Sequence, residues 1–213
     1  MKKLKKKLFL FDLDGVLFDT KQNMDKSWNL VRDKFNIKKS FNEYFLYLGL
    51  PFNVIMKKLG INKNDINLIN VFYKKKSLEH SHLIKIYPGV KSSLKELKKK
   101  NIEVGIVTSK DVYRTKKIIS NYKLNFSIIE CPRKGFRGKP HPDPILRVIK
   151  KTGYLKKDVI YVGDTYNDYL SAKFSKIKFI FAAYGYGKYK KNIKYYGKIN
   201  KFSEIISFIK NEE

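Results

Sequence analysis

A single cysteine, Cys131, rules out any disulfide within the chain, and a chain with no disulfide framework belongs in a reducing cytoplasm. Cys131 also has no base partner in the sequence that would mark it as a nucleophile, so it reads as a small apolar residue. Histidine is scarce too, with only three in the chain. His80 and His82 lack the spacing of a helical metal site and read as linker residues, while His141 sits in a loop between prolines. No long apolar run is present. The basic start Met1–Lys7 is followed by only Leu8–Phe11 before Asp12 interrupts, which is too short for an export signal or a membrane span. No Pro/Gly/Ser tract suggests disorder, and 43% hydrophobic with 15% aromatic residues describes a folded chain.

Acidic residues are few, 19 against 47 basic ones, for a net charge of +28. Arginine is rarer still. It occurs only at Arg32, Arg114, Arg133, Arg137 and Arg147, so 42 of the 47 basic residues are lysine. Nucleic-acid readers favour the forked guanidinium, whereas these lysines scatter along the whole chain. They read as a solvated surface whose field attracts small anions rather than as a nucleic-acid footprint.

Length suits one domain or one domain carrying an insert. Leu8–Phe11 is an apolar run of the kind that forms a buried strand. Residues 21 to about 79 carry no strand pattern; Met24, Trp28, Val31 and Phe35 fall at helical spacing, as do Ile55, Met56 and Leu59, then Ile66, Ile69 and Phe72. Their aromatic and Met content predicts a small helical core. From Tyr87-Pro-Gly89 onward helices and strands alternate. The spacing predicts strands over 102–107, 126–129, 158–162 and 177–182, and helices over about 90–100, 111–122, 144–150 and 202–209. Such alternation implies a parallel sheet covered on both faces, with the helical block inserted after the first strand.

Ligand sites of open parallel sheets lie beyond the carboxyl ends of the strands, and four polar clusters fall at such ends or in the following loops. Asp12-Leu-Asp-Gly15 closes the first strand, where side chains at i and i+2 point the same way and Gly15 lets the chain turn. Two converging carboxylates invite a cation or raise one pKa; an EF-hand reading fails because Val16 stands where a third oxygen ligand is needed. Thr108-Ser-Lys110 follows a strand and, taken alone, reads as a helix cap, though such a helix start also suits phosphate. Gly138-Lys-Pro-His-Pro-Asp-Pro144 aims one lysine, Lys139, from a proline-stiffened loop. Gly163-Asp-Thr-Tyr-Asn-Asp168 offers two more acids, which could equally be a helix N-terminal acid pair. Tyrosines and lysines from Tyr184 to Tyr196 look like either a nucleic-acid surface or a glycine-hinged loop beside the site.

In this order the four clusters resemble the haloacid dehalogenase superfamily, within it the phosphoglycolate-phosphatase-like members. The likeness runs from Leu8 to about Gly187, specific in the core motifs and only architectural in the helical insert. Asp12-Leu-Asp14 resembles the first motif of the phosphatases and phosphomutases, Thr108 the second, Lys139 the third and Gly163-Asp-x-x-x-Asp168 the fourth; Ala183–Gly187 resembles the loop after the next strand. Ser109 departs from the Asn common there. The resemblance implies an α/β fold: a Rossmann-like three-layer core of residues 1–17 and 85–213, with a helical cap of the C1 type over 18–84.

It also implies chemistry. A phosphate monoester resists attack until its charge is neutralised and a proton reaches the leaving oxygen. Asp12 is then the nucleophile and Asp14 the acid and base, while Thr108, Ser109 through its backbone N–H, and Lys139 hold phosphate. Mg2+ is held by Asp12, Asp164 and the backbone carbonyl of Asp14, with Asp168 as ligand or support behind. Leu50, Phe52 and Asn53 of the cap select the substrate, a small phosphorylated metabolite. The expected protein is a cytoplasmic monomer or homodimer without a membrane or specific nucleic-acid partner. A sugar-phosphate mutase of the same superfamily ranks lower, because the loop Gly49–Asn53 has no basic residue to grip a second phosphate. A nucleic-acid-binding protein on a retired scaffold ranks lower again, because Asp12, Asp14, Lys139 and Asp164 are all intact.

Overall fold

The computed structural model describes residues 7–188 and 190–210. Its centre is a six-stranded, all-parallel sheet in the order β5-β4-β1-β6-β7-β8, built from Leu8–Phe11 (β1), Glu103–Val107 (β4), Ile128–Glu130 (β5), Val159–Gly163 (β6), Lys178–Ala182 (β7) and Gly197–Ile199 (β8). β1 lies between β4 and β6 and pairs with both, Leu8 opposite Glu103 on one side and Val159 on the other. Its alternating side chains feed two cores. Phe9 and Phe11 join the residues of α5 (Val90–Lys99), α6 (Val112–Asn121) and the 3-10 turn 202–206, while Leu8 and Leu10 join Ile145 and Val148 of α7 (Asp143–Thr152) and Ala172 of α8 (Tyr166–Ser175). That double burial is why β1 is apolar throughout.

Between β1 and α5 stands the helical block: α1 (Lys21–Phe35), α2 (Phe41–Phe45), α3 (Phe52–Lys58) and α4 (Ile66–Glu79). It has its own core, in which Trp28 stacks on Tyr44 with ring centroids 4.7 Å apart and Ile55, Met56, Ile69 and Tyr73 close the interior. The Met and aromatic residues at helical spacing are therefore packing residues. A two-stranded antiparallel ribbon, β2 (Phe18–Asp19) with β3 (Lys85–Ile86), ties the block to the sheet domain at both chain crossings.

Several sequence expectations shift. β5 starts at Ile128 rather than 126, the C-terminal helix opens as a 3-10 turn before α9 (Ser207–Lys210), and β2, β3 and β8 were not anticipated. Strands of two or three residues are too short to show a period of two.

Candidate active site

Three neighbouring strands deliver the acids and their partners to one place. β1 ends at Phe11 and delivers Asp12, β4 ends at Val107 and delivers Thr108, and β6 ends at Gly163 and delivers Asp164. The chain runs from β1 to β4 on one side and returns to β6 on the other, so a crevice opens at the carboxyl ends, where open α/β sheets bind ligands. Gly15, at φ +81°, turns the chain away; a Cβ there would overlap the Asp164 carboxylate.

Lys139 is the pivot. Its side chain is 1% exposed and its Nζ stands 2.9 Å from Asp12 Oδ1 and 2.6 Å from Asp168 Oδ1. The Tyr161 hydroxyl, 3.2 Å from Nζ and 2.8 Å from Asp168 Oδ1, completes the buried cluster. Burial alone would lower the Lys139 pKa, but Asp12 and Asp168 hold the ammonium above its usual range. The second oxygen of Asp168 accepts from the backbone N–H and hydroxyl of Thr165, at 3.0 and 2.5 Å, in a capping box that starts α8. Asp168 is thus both the helix-start acid and the anchor of Lys139.

Asp12, Asp164 and Asp168 can each turn an oxygen to within 4.8 Å of the others. Burial first, then Asp168 and Asp14, push the Asp12 carboxyl up to about 7 against the opposing pull of Lys139. Asp164 is driven well above the carboxylate range by burial, Asp168 and Asp12. Lys139 Nζ already faces Asp12 Oδ1 at 2.9 Å, whereas Asp164 Oδ1 is buried without a hydrogen-bond partner among the described residues. A buried acceptor left this way is costly unless a cation takes it up. The donors are all oxygen, a set that suits Mg2+. Asp12 and Asp164 fit the ligand role best, since both oxygens of Asp168 are already engaged.

Asp14 is used differently. Its Oδ1 accepts from the Thr20 hydroxyl at 2.7 Å and pairs with Lys110 Nζ at 3.2 Å. With Asp12, Thr108, Lys110, Arg114 and residues of the helical block including Leu50, Phe52 and Tyr73, it lines a cavity of about 50 Å³. At ~10–15 Å³ of such volume per water, that is room for a few waters or a phosphate-sized group.

A family model described as haloacid dehalogenase-like hydrolase matches residues 9–182. The chain belongs to the haloacid dehalogenase-like hydrolases. It is 29% identical over 172 residues to the pyrophosphatase PpaX of Oceanobacillus iheyensis, covering 79% of each chain. It is 26% identical over 196 residues to a phosphoglycolate phosphatase of Haemophilus influenzae, covering 84% of this chain and 87% of the relative. The crystal structure of a hydrolase from Pseudomonas syringae superposes with a TM-score of 0.84 at 22% identity, covering 97% of this chain and 99% of that one, a likeness of fold.

The core is α/β, and the fold brings Asp12, Asp14, Thr108, Lys139, Asp164 and Asp168 to the carboxyl end of the sheet. Ser109 is nearby, but its hydroxyl donates to the Gly49 carbonyl of the helical block at 2.7 Å. The helix after it is capped by Asp111, not by Thr108 or Ser109. Leu50 and Phe52 face the cavity, whereas Asn53 is exposed and lines an outer groove. The Tyr184–Tyr196 stretch includes a loop beside the site: Tyr186 N–H donates to Asp164 Oδ2 at 2.6 Å, and its hydroxyl accepts from Thr20 N–H at 2.5 Å and donates to Asp19 at 2.8 Å. Sequence reasoning missed the parts played by Tyr161, Tyr186 and Arg114. Arg114 carried a signal, an arginine where lysine is the rule, and Tyr186 lies in the glycine-hinged stretch the sequence placed beside the site; Tyr161 carried none. Among the described residues no helix is long and apolar enough to cross a membrane.

Proposed function

We propose that this hydrolase is a Mg2+-dependent phosphatase that cleaves a small phosphate monoester through a phosphorylated Asp12. The observation that carries the reading is the division of labour between the two acids: Asp12 is drawn to Lys139 at the carboxylate cluster, while Asp14 is held apart by Thr20 and Lys110 on the cavity wall. Asp12 and Asp164 would hold the metal together with the backbone carbonyl of Asp14, Asp168 standing behind them. When bound, Mg2+ supplies positive charge that offsets the phosphoryl oxygens and keeps Asp12 ionised.

An Asp12 oxygen attacks phosphorus, the bond from phosphorus to the leaving oxygen breaks, and Asp14 gives that oxygen its proton. Asp14, now ionised, takes a proton from water; the resulting hydroxide bonds to phosphorus, and the bond from phosphorus to Asp12 breaks to release phosphate. Lys139, the Thr108 hydroxyl and the backbone N–H of Ser109 balance the phosphoryl charge. Leu50 and Phe52, with Asn53 at the mouth, select the leaving group, so residues 18–84 act as a cap on a core of 1–17 and 85–213.

Hydrolysis of an aryl phosphate by the purified chain, with Mg2+ and with excess chelator, tests the metal. Activity undiminished by chelator would remove it. Asp12→Asn, nearly isosteric, should lower kcat by roughly 10³-fold or more while the far-UV spectrum stays native. A wild-type rate in that variant would remove Asp12 from its role.

A further inference from the structure

We propose that Arg114 reads a second anionic group on the leaving portion of the substrate, a carboxylate or a phosphate a few bonds from the reacting phosphorus. The inference rests on the phosphatase reading above and names the substrate class it serves.

Arg114 lies in the first turn of α6, and its side chain is only 8% exposed. Its Nε donates to Asp111 Oδ2 at 2.6 Å and its backbone N–H to Asp111 Oδ1 at 3.1 Å. The Tyr73 ring of the helical block lies against the guanidinium, 5.2 Å from its carbon to the ring centroid. Asp111 and Tyr73 thus fix the plane of the group. Nη1 is buried and has no hydrogen-bond partner among the described residues.

A purely structural pair would engage the fork of the guanidinium with both carboxylate oxygens. Here Asp111 engages Nε, and Arg114 lines the cavity that holds Asp12, Asp14 and Thr108. A desolvated guanidinium edge is costly unless an acceptor meets it, and the two acids that line the cavity are already engaged, Asp14 by Lys110 and Thr20 and Asp12 by Lys139. The other cation of the wall, Lys110, is paired with Asp14 at 3.2 Å, and much of the rest is apolar, including Met24, Leu50, Phe52 and Ile55, which leaves Arg114 as the cation with a free edge for the far end of a substrate. The cavity, about 50 Å³, is small, which favours a short leaving portion beside the phosphoryl group. Residue choice agrees too: in a chain whose basic residues are overwhelmingly lysine, an arginine has the planar donors that match a carboxylate or phosphate.

The experiment compares kcat/KM for phosphoglycolate, its methyl ester, pyrophosphate and p-nitrophenyl phosphate in wild type, Arg114→Met and Arg114→Lys. In wild type, phosphoglycolate should exceed its uncharged methyl ester by roughly 30-fold, about 2 kcal/mol at 1.4 kcal/mol per tenfold. In Arg114→Met that ratio should collapse towards one, and Arg114→Lys should recover part of it. Whether pyrophosphate falls with phosphoglycolate in the variant distinguishes a phosphate-reading from a carboxylate-only site. Equal rates for the acid and its methyl ester in wild type would overturn the proposal even if both variants failed to fold. So would a variant that scales all four substrates by one factor. If the wild-type chain turns over none of these compounds, the phosphatase reading fails by itself. Calorimetric binding of phosphoglycolate against its methyl ester to the same protein then decides the role of Arg114: a tighter acid supports it and equal affinities overturn it.

Discussion

On the floor of the cavity Lys139 stands between Asp12 and Asp168 at 2.9 and 2.6 Å, all three buried, and almost nothing apolar takes part. On the roof Trp28 stacks against Tyr44 inside a core of Met24, Ile55, Met56 and Tyr73, and almost nothing charged takes part until Arg114 reaches up from α6. The floor is held by opposite charges that must stay paired, the roof by contact area. Attack on phosphorus needs fixed charges at fixed places, and strand ends in a packed sheet are the most rigid mounts in the fold. On the proposed function, recognition of a leaving group needs a surface that fits and closes, a part that helices on a two-strand ribbon are suited to play.

Removing the keystone of each region should separate floor from roof most strongly. Lys139→Met leaves Asp12 and Asp168 buried beside each other without their cation, a loss of about 3–5 kcal/mol. Trp28→Ala opens a cavity in the helical core at a similar cost of about 3–5 kcal/mol. The two losses should differ in pH dependence. Carboxylates stripped of their partner relieve the strain by binding protons, so the Lys139→Met deficit should shrink towards acid pH, while the Trp28→Ala deficit stays flat. Denaturant unfolding at several pH values measures both, and parallel pH profiles would show that the two regions are not held by different forces. Hydrogen exchange in Trp28→Ala should lose protection in α1–α4 before the sheet does.

The same contrast explains what the sequence made legible. Asp12, Asp14, Thr108 and Asp164 stand next to apolar runs whose ends are visible in one dimension, Lys139 stands out by its glycine and proline neighbours, and the fold then brings them together. Asp168 was legible as an acid but not as the anchor of Lys139, because its partner Tyr161 faces inward from the middle of β6. Arg114 and Tyr73, or Tyr186 and Thr20, meet only through folding across long stretches of chain. No local period reports such a meeting. The ribbon of β2 and β3 was missed for another reason, since two residues per strand give a pattern no length to appear in.

A smaller effect separates the regions by pH. Without metal, folded Asp12 keeps its proton up to about 7, above its ordinary 3.8. Its contribution to stability is therefore fully present below about pH 4 and is lost as pH rises through about 7. If Mg2+ binds Asp12 and Asp164 as proposed, it displaces that proton, so stabilisation by the metal should grow from about pH 5 to pH 8, reaching about 2.7 kcal/mol at a hundredfold excess over Kd. Thermal unfolding with and without Mg2+ across that range checks it. A metal-induced shift in Tm that is the same at both ends would mean that the ion sits elsewhere than on the floor.

The smallest effect concerns the seam between roof and floor. Ser109 Oγ donates to the Gly49 carbonyl at 2.7 Å, Asn167 Nδ2 donates to the Leu48 carbonyl at 3.3 Å, and Gly49, at φ +89°, packs so closely that a Cβ would come 2.8 Å from Thr165 Oγ1. Gly138 in turn packs against Pro51, so the loop 48–51 of the helical block is seated on three of the four core motifs, those of Thr108, Lys139 and Asp164. Ser109→Ala removes one neutral hydrogen bond from that seam, worth about 1 kcal/mol, and leaves the backbone N–H of residue 109 in place. If the seam holds the cap closed over substrate, the loss should raise KM by roughly fivefold for substrates that touch the cap while kcat and global stability hardly move. If instead kcat falls with KM unchanged, the Ser109 hydroxyl itself belongs to the phosphate site, and the boundary between charge-built floor and contact-built roof runs one residue further along the loop.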